Sequence, residues 1–199
     1  MQLLWTGPEP PVATLVLGHS AGAPMDSPWM NDMCDLLGER GIRTARFEFA
    51  FMASRREGQR RPQLKAELAP GEYRDAVAAV LETAGGPVLI GGKSYGGRVA
   101  SLVADELYDT GSVSGLVCLG YPFHPPAKPQ AVRTSHLLTL RTPTLICQGS
   151  RDPFGGAEEV PGYGLPAGIE VRWFPGDHDV QPRARLAPVA DAVAAFATH

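Results

Sequence analysis

The sequence predicts an α/β fold: a doubly wound, mainly parallel sheet of six to seven strands with helices on both faces. Short apolar runs that end at glycine, proline or small polar residues recur along the chain, as buried strands do. Between them lie longer stretches with the length and apolar spacing of helices. Parallel sheets of this kind bind ligands beyond the carboxyl ends of their strands. We therefore look for functional residues directly after each strand.

The predicted elements alternate in order along the chain. Strands are expected at 12–18, 44–51, 88–91, 115–119, 144–148 and 169–174. Helices are expected at 28–40, 70–83, 96–109 and 182–198. In the second helix one apolar face is formed by Tyr73, Val77, Val80 and Leu81, which predicts packing on the sheet. The remaining irregular segments are 54–65, which is rich in arginine, and 121–130, which is rich in proline.

Length and charge restrict the class of protein. With 199 residues, the chain suits one domain spanning 1–199, and too little is left over for a large lid domain. The formal net charge of −3 argues against general nucleic-acid binding and against attraction to anionic membranes. No stretch approaches the roughly 20 apolar residues of a membrane span. Residues 1–11 lack the basic and apolar regions of a signal peptide, so none is expected.

The three cysteines indicate a reducing compartment. Cys34, Cys118 and Cys147 are far apart and form neither a C-x-x-C pair nor an even-numbered disulfide framework. Cys118 and Cys147 lie in apolar runs, as buried core thiols do. We therefore expect a cytoplasmic protein, a monomer or small homo-oligomer, with no metal and no other cofactor.

A G-x-S-x-G motif, GKSYG at 92–96, follows the strand at 88–91 and precedes a helix. In this context the motif forms a sharp strand-to-helix turn that holds a serine clear of the sheet, so Ser94 is the predicted nucleophile. Two alternatives are weaker. Ser94 could simply cap the helix of a glycine-rich turn. The G-K-S run also resembles the end of a P-loop, but the first glycine of that motif would fall at Pro87.

Asp152 and His178 complete the set that a serine nucleophile needs. A serine hydroxyl requires a base, and the base requires an acid that orients it. Asp152 follows one late strand, and His178 follows the next. This gives the chain order Ser, Asp, His that is typical of proteins with this strand-to-helix turn. Asp177 and Asp179 are rivals for the acid, although residues adjacent to the base usually point elsewhere.

Residues on the other strand-end loops are predicted to complete the site. The backbone N–H groups of Tyr95, after the serine, and Ala21, after the first strand, are the expected oxyanion donors. His19 either contacts substrate or braces the loop that carries Ala21. Large side chains could line an acyl pocket, although ordinary packing explains each equally well. With His19, the predicted pocket residues are Met25, Phe51, Tyr121, Phe123 and Phe154.

Several polar residues near the predicted site have two interpretations. Glu48 could bind substrate or pair with an arginine, and His124 could contact substrate or brace its loop. Lys93 and Arg98 flank the serine, and an ion pair is the simpler role for Arg98. The arginines at 55–61 could attract an anionic substrate or form a solvated surface.

Together these motifs resemble the α/β-hydrolase superfamily, especially dienelactone-hydrolase-like proteins. They are more similar still to a small family of bacterial α/β-hydrolases that shares its hydrolase-like domain with a subunit of the eukaryotic non-specific-lethal chromatin complex. The likeness runs nearly end to end, through HSAGA at 19–23, RFEF at 46–49, GGKSYGGR at 91–98, GYPFHPP at 120–126, QGSRDPF at 148–154 and DHD at 177–179. Ser20 replaces the first glycine of the family's usual H-G-A-G, and Ser94 stands where dienelactone hydrolases have cysteine.

The resemblance implies a minimal α/β-hydrolase fold without a large lid, with Ser94, Asp152 and His178 as a triad. We expect a serine carboxylic-ester hydrolase that cleaves small esters or thioesters through an acyl-enzyme on Ser94. Its expected partner is a small-molecule ester, without nucleic acid or membrane. The alternative, suggested by the chromatin-complex relative, is a catalytically silent module that binds other proteins. An intact Ser–Asp–His set favours the enzyme.

Overall fold

The computed structural model describes residues 1–198, which contain a seven-stranded sheet. The strands are β1 Leu4–Thr6, β2 Ala13–Gly18, β3 Ile42–Phe47, β4 Val88–Lys93, β5 Gly115–Leu119, β6 Thr144–Gly149 and β7 Ile169–Phe174. They lie in the order β1-β3-β2-β4-β5-β6-β7, and the pairing is antiparallel at β1 and parallel elsewhere. This architecture confirms the predicted α/β class.

Helices cover both faces of the sheet. They are α1 Pro28–Gly38, α2 Ala50–Arg56, α3 Pro70–Leu81, α4 Tyr95–Ser101, α5 Ala104–Asp109 and α6 Arg183–Ala197. On one face, Met33 of α1 and Val193 of α6 share a core with Leu15 of β2. On the other face, Tyr73 of α3 shares a second core with Val16. Leu15 and Val16 point in opposite directions because strand side chains alternate, so the central strands are buried on both sides.

The strand expected at 44–51 is shorter and is followed by a helix that the sequence did not predict. β3 ends opposite the last residue of β2. Beyond that point the Phe49 N–H donates to His19 Nε2 (3.1 Å), and the Ala50 N–H donates to the Glu72 carboxylate (2.6 Å). These side-chain acceptors satisfy the backbone where the ladder ends. The prediction of a strand through residue 51 was therefore wrong, since α2 begins at Ala50.

Two further elements differ from the sequence prediction. β1 was not predicted, and it is held by a distant side chain, because Arg46 of β3 donates to Thr6 Oγ1 (2.8 Å). The helix expected at 96–109 is broken into α4 and α5. At the break, the Ser101 hydroxyl donates to the Arg98 carbonyl (2.7 Å), a contact that competes with regular helix bonding.

Helix α3 buries a narrower face than predicted. Tyr73, Val77 and Val80 are buried, but Leu81, the last residue of the helix, is 42% exposed. The Tyr73 hydroxyl accepts the Gly91 N–H of β4 (2.8 Å), which fixes the face that α3 turns toward the sheet. Leu81 lies beyond the region that this contact anchors.

Two expectations from composition have structural counterparts. Cys34, Cys118 and Cys147 are free and buried, and burial raises the pKa of each thiol. Within residues 1–198, no helix has the length and apolar character needed to cross a membrane.

Candidate active site

Ser94 occupies a sharp turn between β4 and α4. Its backbone has φ 52° and ψ −110°, a conformation that residues other than glycine seldom adopt. Backbone bonds hold the turn: the Ser94 N–H donates to the Leu119 carbonyl at the end of β5, and the Ser94 carbonyl accepts the Arg98 N–H (both 3.0 Å). The serine therefore sits at the carboxyl edge of the sheet in the strained geometry that the G-x-S-x-G motif predicts.

Glycines let β2, β4 and α4 meet beneath this turn. A Cβ atom on Gly92 would lie 2.7 Å from the Gly18 carbonyl oxygen and 2.5 Å from Gly97 N. A Cβ atom on Gly96 would overlap the Gly18 carbonyl group and lie 2.8 Å from Gly18 Cα. All of these neighbours are backbone atoms, which have little freedom to move aside. The two glycines of the motif are thus required by the close approach of strand and helix.

We expect Gly96→Ala to lower the free energy of unfolding by about 2–3 kcal/mol, because the added methyl group meets fixed backbone. Gly71 in α3 provides a matched control, since nothing lies within 4 Å of a Cβ atom there. Gly71→Ala should stabilise the protein by about 0.5 kcal/mol through a less flexible unfolded chain. Urea denaturation measures both changes, and equal stabilities of the two variants would contradict the close approach.

Asp152 is a buried carboxylate with three hydrogen-bond donors. Its side chain is inaccessible to solvent. Oδ2 accepts from His178 Nδ1 (2.7 Å) and Gln148 Nε2 (2.8 Å), and Oδ1 accepts from the Phe154 N–H (2.8 Å). Gln148 is fixed in turn because its side-chain oxygen accepts the Tyr121 N–H (2.7 Å). These donors hold an ionised carboxylate in one orientation, facing the imidazole.

His178 presents one free nitrogen to the site. Because the carboxylate of Asp152 can only accept, Nδ1 carries the proton and Nε2 is left with its lone pair. Nε2 is buried and has no hydrogen-bond partner within residues 1–198. His178 is thus hydrogen-bonded to Asp152 but not to Ser94 within residues 1–198. Such bonds are often long in ligand-free enzymes.

Lys93 ties the His178 loop to the strand that carries Ser94. Its side chain is almost completely buried, and Nζ donates to the His178 carbonyl oxygen (2.8 Å). Nζ also lies 3.1 Å from Asp179 Oδ1 and over the Trp29 ring (5.4 Å). Burial lowers the pKa of Lys93, and the Asp179 carboxylate opposes that effect. The residue before Ser94 therefore fixes the backbone of His178.

The two rival acids have other partners. Asp179 pairs with Lys93, and Asp177 Oδ1 accepts the Asp179 N–H (3.1 Å). Within the described part of the chain, the side-chain partner of the His178 ring is Asp152. The geometry therefore favours Asp152 over both alternatives.

His19 braces the loop that carries Ala21. The ring is fully buried, and its Nε2 accepts the Phe49 N–H, so Nδ1 holds the proton and donates to the Ser20 carbonyl (2.6 Å). Burial lowers the pKa of His19. The neutral ring thus links the loop after β2 to the start of α2.

We expect the stability of the protein to fall as the pH drops below 6.5, because the neutral His19 ring is required in the folded state. A histidine pKa that is lower in the folded protein means that the unfolded chain binds more protons, so the free energy of unfolding rises with pH between the two pKa values. Urea denaturation of the wild type and His19→Asn from pH 5 to pH 8 isolates this effect. The advantage of the wild type should grow with pH, and a constant difference would contradict it.

Ser94 opens onto a cavity of about 510 Å³. Ala21 and Tyr95, whose N–H groups are the predicted oxyanion donors, both line it. Another part of its wall is formed by residues 63–67, with Arg98 and Arg133. Sequence reasoning did not assign this wall to the site, although the arginine-rich segment at 54–65 runs directly into it.

The predicted pocket residues fall into two groups. Phe154 lines the cavity, and its ring centre lies 4.4 Å from that of His178. The others are buried in the protein interior and are not among the residues that line this cavity: His19, Met25, Phe51, Tyr121 and Phe123. Phe51 illustrates the reason, because its ring packs edge-on against those of Tyr95 (5.7 Å) and His19 (5.5 Å). Its apolar surface is used by the core, and none of these five side chains lines the cavity.

Comparison with known proteins identifies the family. Residues 11–197 match the family model of the alpha/beta hydrolase domain, which covers the sheet from β2 to β7 and helix α6. The chain belongs to the α/β-hydrolase family. The resemblance drawn from the motifs is confirmed at this level.

Solved hydrolases share the fold over nearly the whole chain. An α/β serine hydrolase without lid from Xanthomonas campestris has a TM-score of 0.76 at 17% identity, over 98% of this chain and 86% of its own. A serine hydrolase homologue from Coxiella burnetii has a TM-score of 0.74 at 18% identity, over 97% and 89%. Dienelactone hydrolase from Anabaena variabilis has a TM-score of 0.72 at 19% identity, over 98% and 89%.

This α/β hydrolase carries no lid domain within its described residues. Outside α4, the residues that line the Ser94 cavity lie in loops or in the short 3₁₀ turn Ala66–Leu68. The expectation of a minimal fold without a large lid is therefore confirmed.

Three polar residues whose roles the sequence left open are held by charged partners in this hydrolase. Glu48 binds Arg56 (2.7 Å), and Arg98 pairs with Glu67. His124 Nε2 lies 3.1 Å from a Glu159 carboxylate oxygen, and its ring is almost fully buried. The contacts of Glu48 and His124 hold the loops that follow β3 and β5, and the Arg98–Glu67 pair joins α4 to the 3₁₀ turn Ala66–Leu68.

Proposed function

We propose that this α/β hydrolase is a serine hydrolase that cleaves small carboxylic esters or thioesters through an acyl-enzyme on Ser94. The observation that carries the proposal is the Asp152–His178 pair (2.7 Å), whose free Nε2 is buried at the edge of the sheet that holds Ser94. A solvent-excluded imidazole without a partner is suited to take a proton from a neighbouring group. Solved neighbours described as an esterase domain from Rhodothermus marinus and as dienelactone hydrolase support ester chemistry.

The proposed reaction has two steps, acylation of Ser94 and hydrolysis of the acyl-enzyme. Ser94 Oγ attacks the ester carbonyl carbon while His178 Nε2 takes the hydroxyl proton, and Asp152 stabilises the resulting imidazolium. The N–H groups of Tyr95 and Ala21 donate to the developing oxyanion; Tyr95 begins α4, so its N–H has no acceptor within the helix. His178 then protonates the leaving alcohol or thiol. Water, deprotonated by the same nitrogen, releases the acid and restores Ser94.

A fluorophosphonate probe tests this proposal without knowledge of the substrate. It forms a covalent bond to an activated serine, so mass spectrometry of the folded protein should locate one adduct on Ser94. Urea-unfolded protein serves as the control and should remain unlabelled. Absence of an adduct on the folded protein would favour a catalytically silent interaction module instead.

We expect short-chain esters to be the best substrates, without activation at a lipid interface. The wall at residues 63–67 is mostly solvent-exposed, and the described residues provide no lid domain. Each methylene beyond a short acyl chain would gain little of the roughly 0.8 kcal/mol that full burial provides. Turnover of 4-nitrophenyl esters from acetate to palmitate measures this preference. A rate that rises with chain length and jumps above the micelle concentration would contradict it.

We further propose the setting in which this chemistry occurs. The hydrolase would act as a single domain of residues 1–199 in the cytoplasm, as a monomer or small homo-oligomer. Three free, buried cysteines support a reducing compartment, and the net charge of −3 supports a small-molecule substrate over nucleic acid.

A further inference from the structure

The cavity beside Ser94 carries an excess of positive charge. Among the described residues that line it, Lys65, Arg98 and Arg133 are cationic, and Glu67 is the one carboxylate. The protein as a whole has a formal net charge of −3, so this excess is a local property of the site. A concave site with one sign of charge concentrates ligands of the opposite sign.

Arg133 is a half-buried guanidinium without an ion pair within residues 1–198, since Glu67 pairs with Arg98 instead. Its backbone is fixed, because the N–H donates to the Phe123 carbonyl (2.7 Å) and the carbonyl accepts the Tyr121 hydroxyl (3.1 Å). Burial, and then the positive charge of Arg98, lower the pKa of Arg133. A bound anion would oppose both effects, because a nearby negative charge favours the charged guanidinium.

Arg98 is only partly neutralised. Nη2 binds Glu67, while Nε is buried without a hydrogen-bond partner in the described chain. The Glu67 side chain is 53% exposed, so it can turn outward into water. The Glu67 carboxylate therefore shows which kind of group the Arg98 guanidinium binds. A ligand carboxylate can replace it at the same position.

We propose that the cavity binds substrates that carry an ionised carboxylate in addition to the ester group. This carboxylate lies against Arg133 and Arg98 while Ser94 attacks the ester. The inference rests on the proposed function, because it places the anion beside the same serine. A planar guanidinium matches a carboxylate through paired N–H donors. The apolar side chains of Leu64 and Phe154 line the same cavity and suit the carbon chain between the two groups.

Matched ester pairs test the inference. Mono-4-nitrophenyl adipate against 4-nitrophenyl hexanoate places the charge on the acyl side, and 4-acetoxybenzoate against its methyl ester places it on the leaving-group side. In at least one pair, the wild type should prefer the anionic member by about tenfold in kcat/KM, as one charge-assisted contact provides. Lack of preference in both pairs, with neutral esters still cleaved, would overturn the inference and leave the proposed function standing.

Variants separate local recognition from total charge. Arg133→Gln should reduce the anionic-to-neutral ratio about tenfold, and Arg133→Lys should restore part of it. Arg61→Gln removes the same charge from an exposed residue outside the cavity wall and should leave the ratio unchanged. Glu67→Gln should raise the ratio, because it removes the competing carboxylate. Equal effects of Arg133→Gln and Arg61→Gln would contradict the proposed contact.

A binding measurement covers the case in which no ester is cleaved and no serine adduct forms, so that the proposed function itself fails. Calorimetric titration of the wild type with adipate, and with adipamide as the neutral control, reports the anion site alone. Adipate binding that is lost in Arg133→Gln and kept in Arg61→Gln would support the site. Equal binding of the two compounds, or none, would overturn it.

Discussion

Replacing Ser94 by alanine is expected to abolish ester hydrolysis while the fold stays intact. Loss of the nucleophile from such a set costs roughly 10⁴–10⁶ in turnover. The turn itself depends on backbone bonds to Leu119 and Arg98, which alanine keeps. Alanine also faces the same positive φ that serine already tolerates, so the variant should retain nearly all of its stability.

Initial rates on a short 4-nitrophenyl ester, paired with a urea unfolding curve, check both halves of this expectation. The fluorophosphonate adduct should disappear in the same variant. Turnover above a few per cent of the wild type, in a protein that remains folded, would show that another residue is the nucleophile.

Asp152→Asn is expected to reduce kcat by about 10⁴, the loss found when the acid of a serine protease triad is neutralised. The amide cannot satisfy all three donors that face the carboxylate. If its NH₂ group takes the Oδ1 position, it opposes the Phe154 N–H; if it takes the Oδ2 position, it opposes Gln148 and His178. In the second arrangement the imidazole must accept through Nδ1, which puts the proton on Nε2 and removes the base.

Asp177→Asn is the matched control, because Asp177 is exposed and lies beside His178 in sequence. Its Oδ1 accepts the Asp179 N–H, a contact that the asparagine oxygen can keep. We expect kcat within about threefold of the wild type, because Asp152 and not Asp177 holds the His178 ring and exposed substitutions perturb the fold little. A loss in Asp177→Asn as large as that in Asp152→Asn would reverse the choice of acid.

Sequence patterns predict the sheet and the Ser94, Asp152 and His178 positions because both depend on local signals. Buried parallel strands appear as continuous apolar runs, and residues that follow such strands must meet at one edge of the sheet. The chain order of the three residues then leaves few arrangements. Hydrogen bonding between Asp152 and His178 is the structural counterpart of that reasoning.

Features that depend on distant contacts escaped prediction. β1 is a short edge strand whose Thr6 is held by Arg46, which lies 40 positions further along the chain. Helix α2 begins where His19 and Glu72 supply acceptors from other elements. The cavity wall at 63–67 consists of exposed polar residues whose pattern resembles any solvated loop. The sequence instead predicted aromatic residues at the strand ends for the pocket, yet most of them belong to the core.

The buried thiols have a practical consequence for the chemistry of this protein. Reagents that attack both serine and cysteine should modify Ser94 alone in the native state, because all three thiols are covered and held in the unreactive protonated form. Active-site titration with such electrophiles therefore counts functional molecules without interference. The rate of cysteine alkylation, in contrast, reports how often the whole chain unfolds. It can be measured in every variant, whether or not that variant turns over substrate.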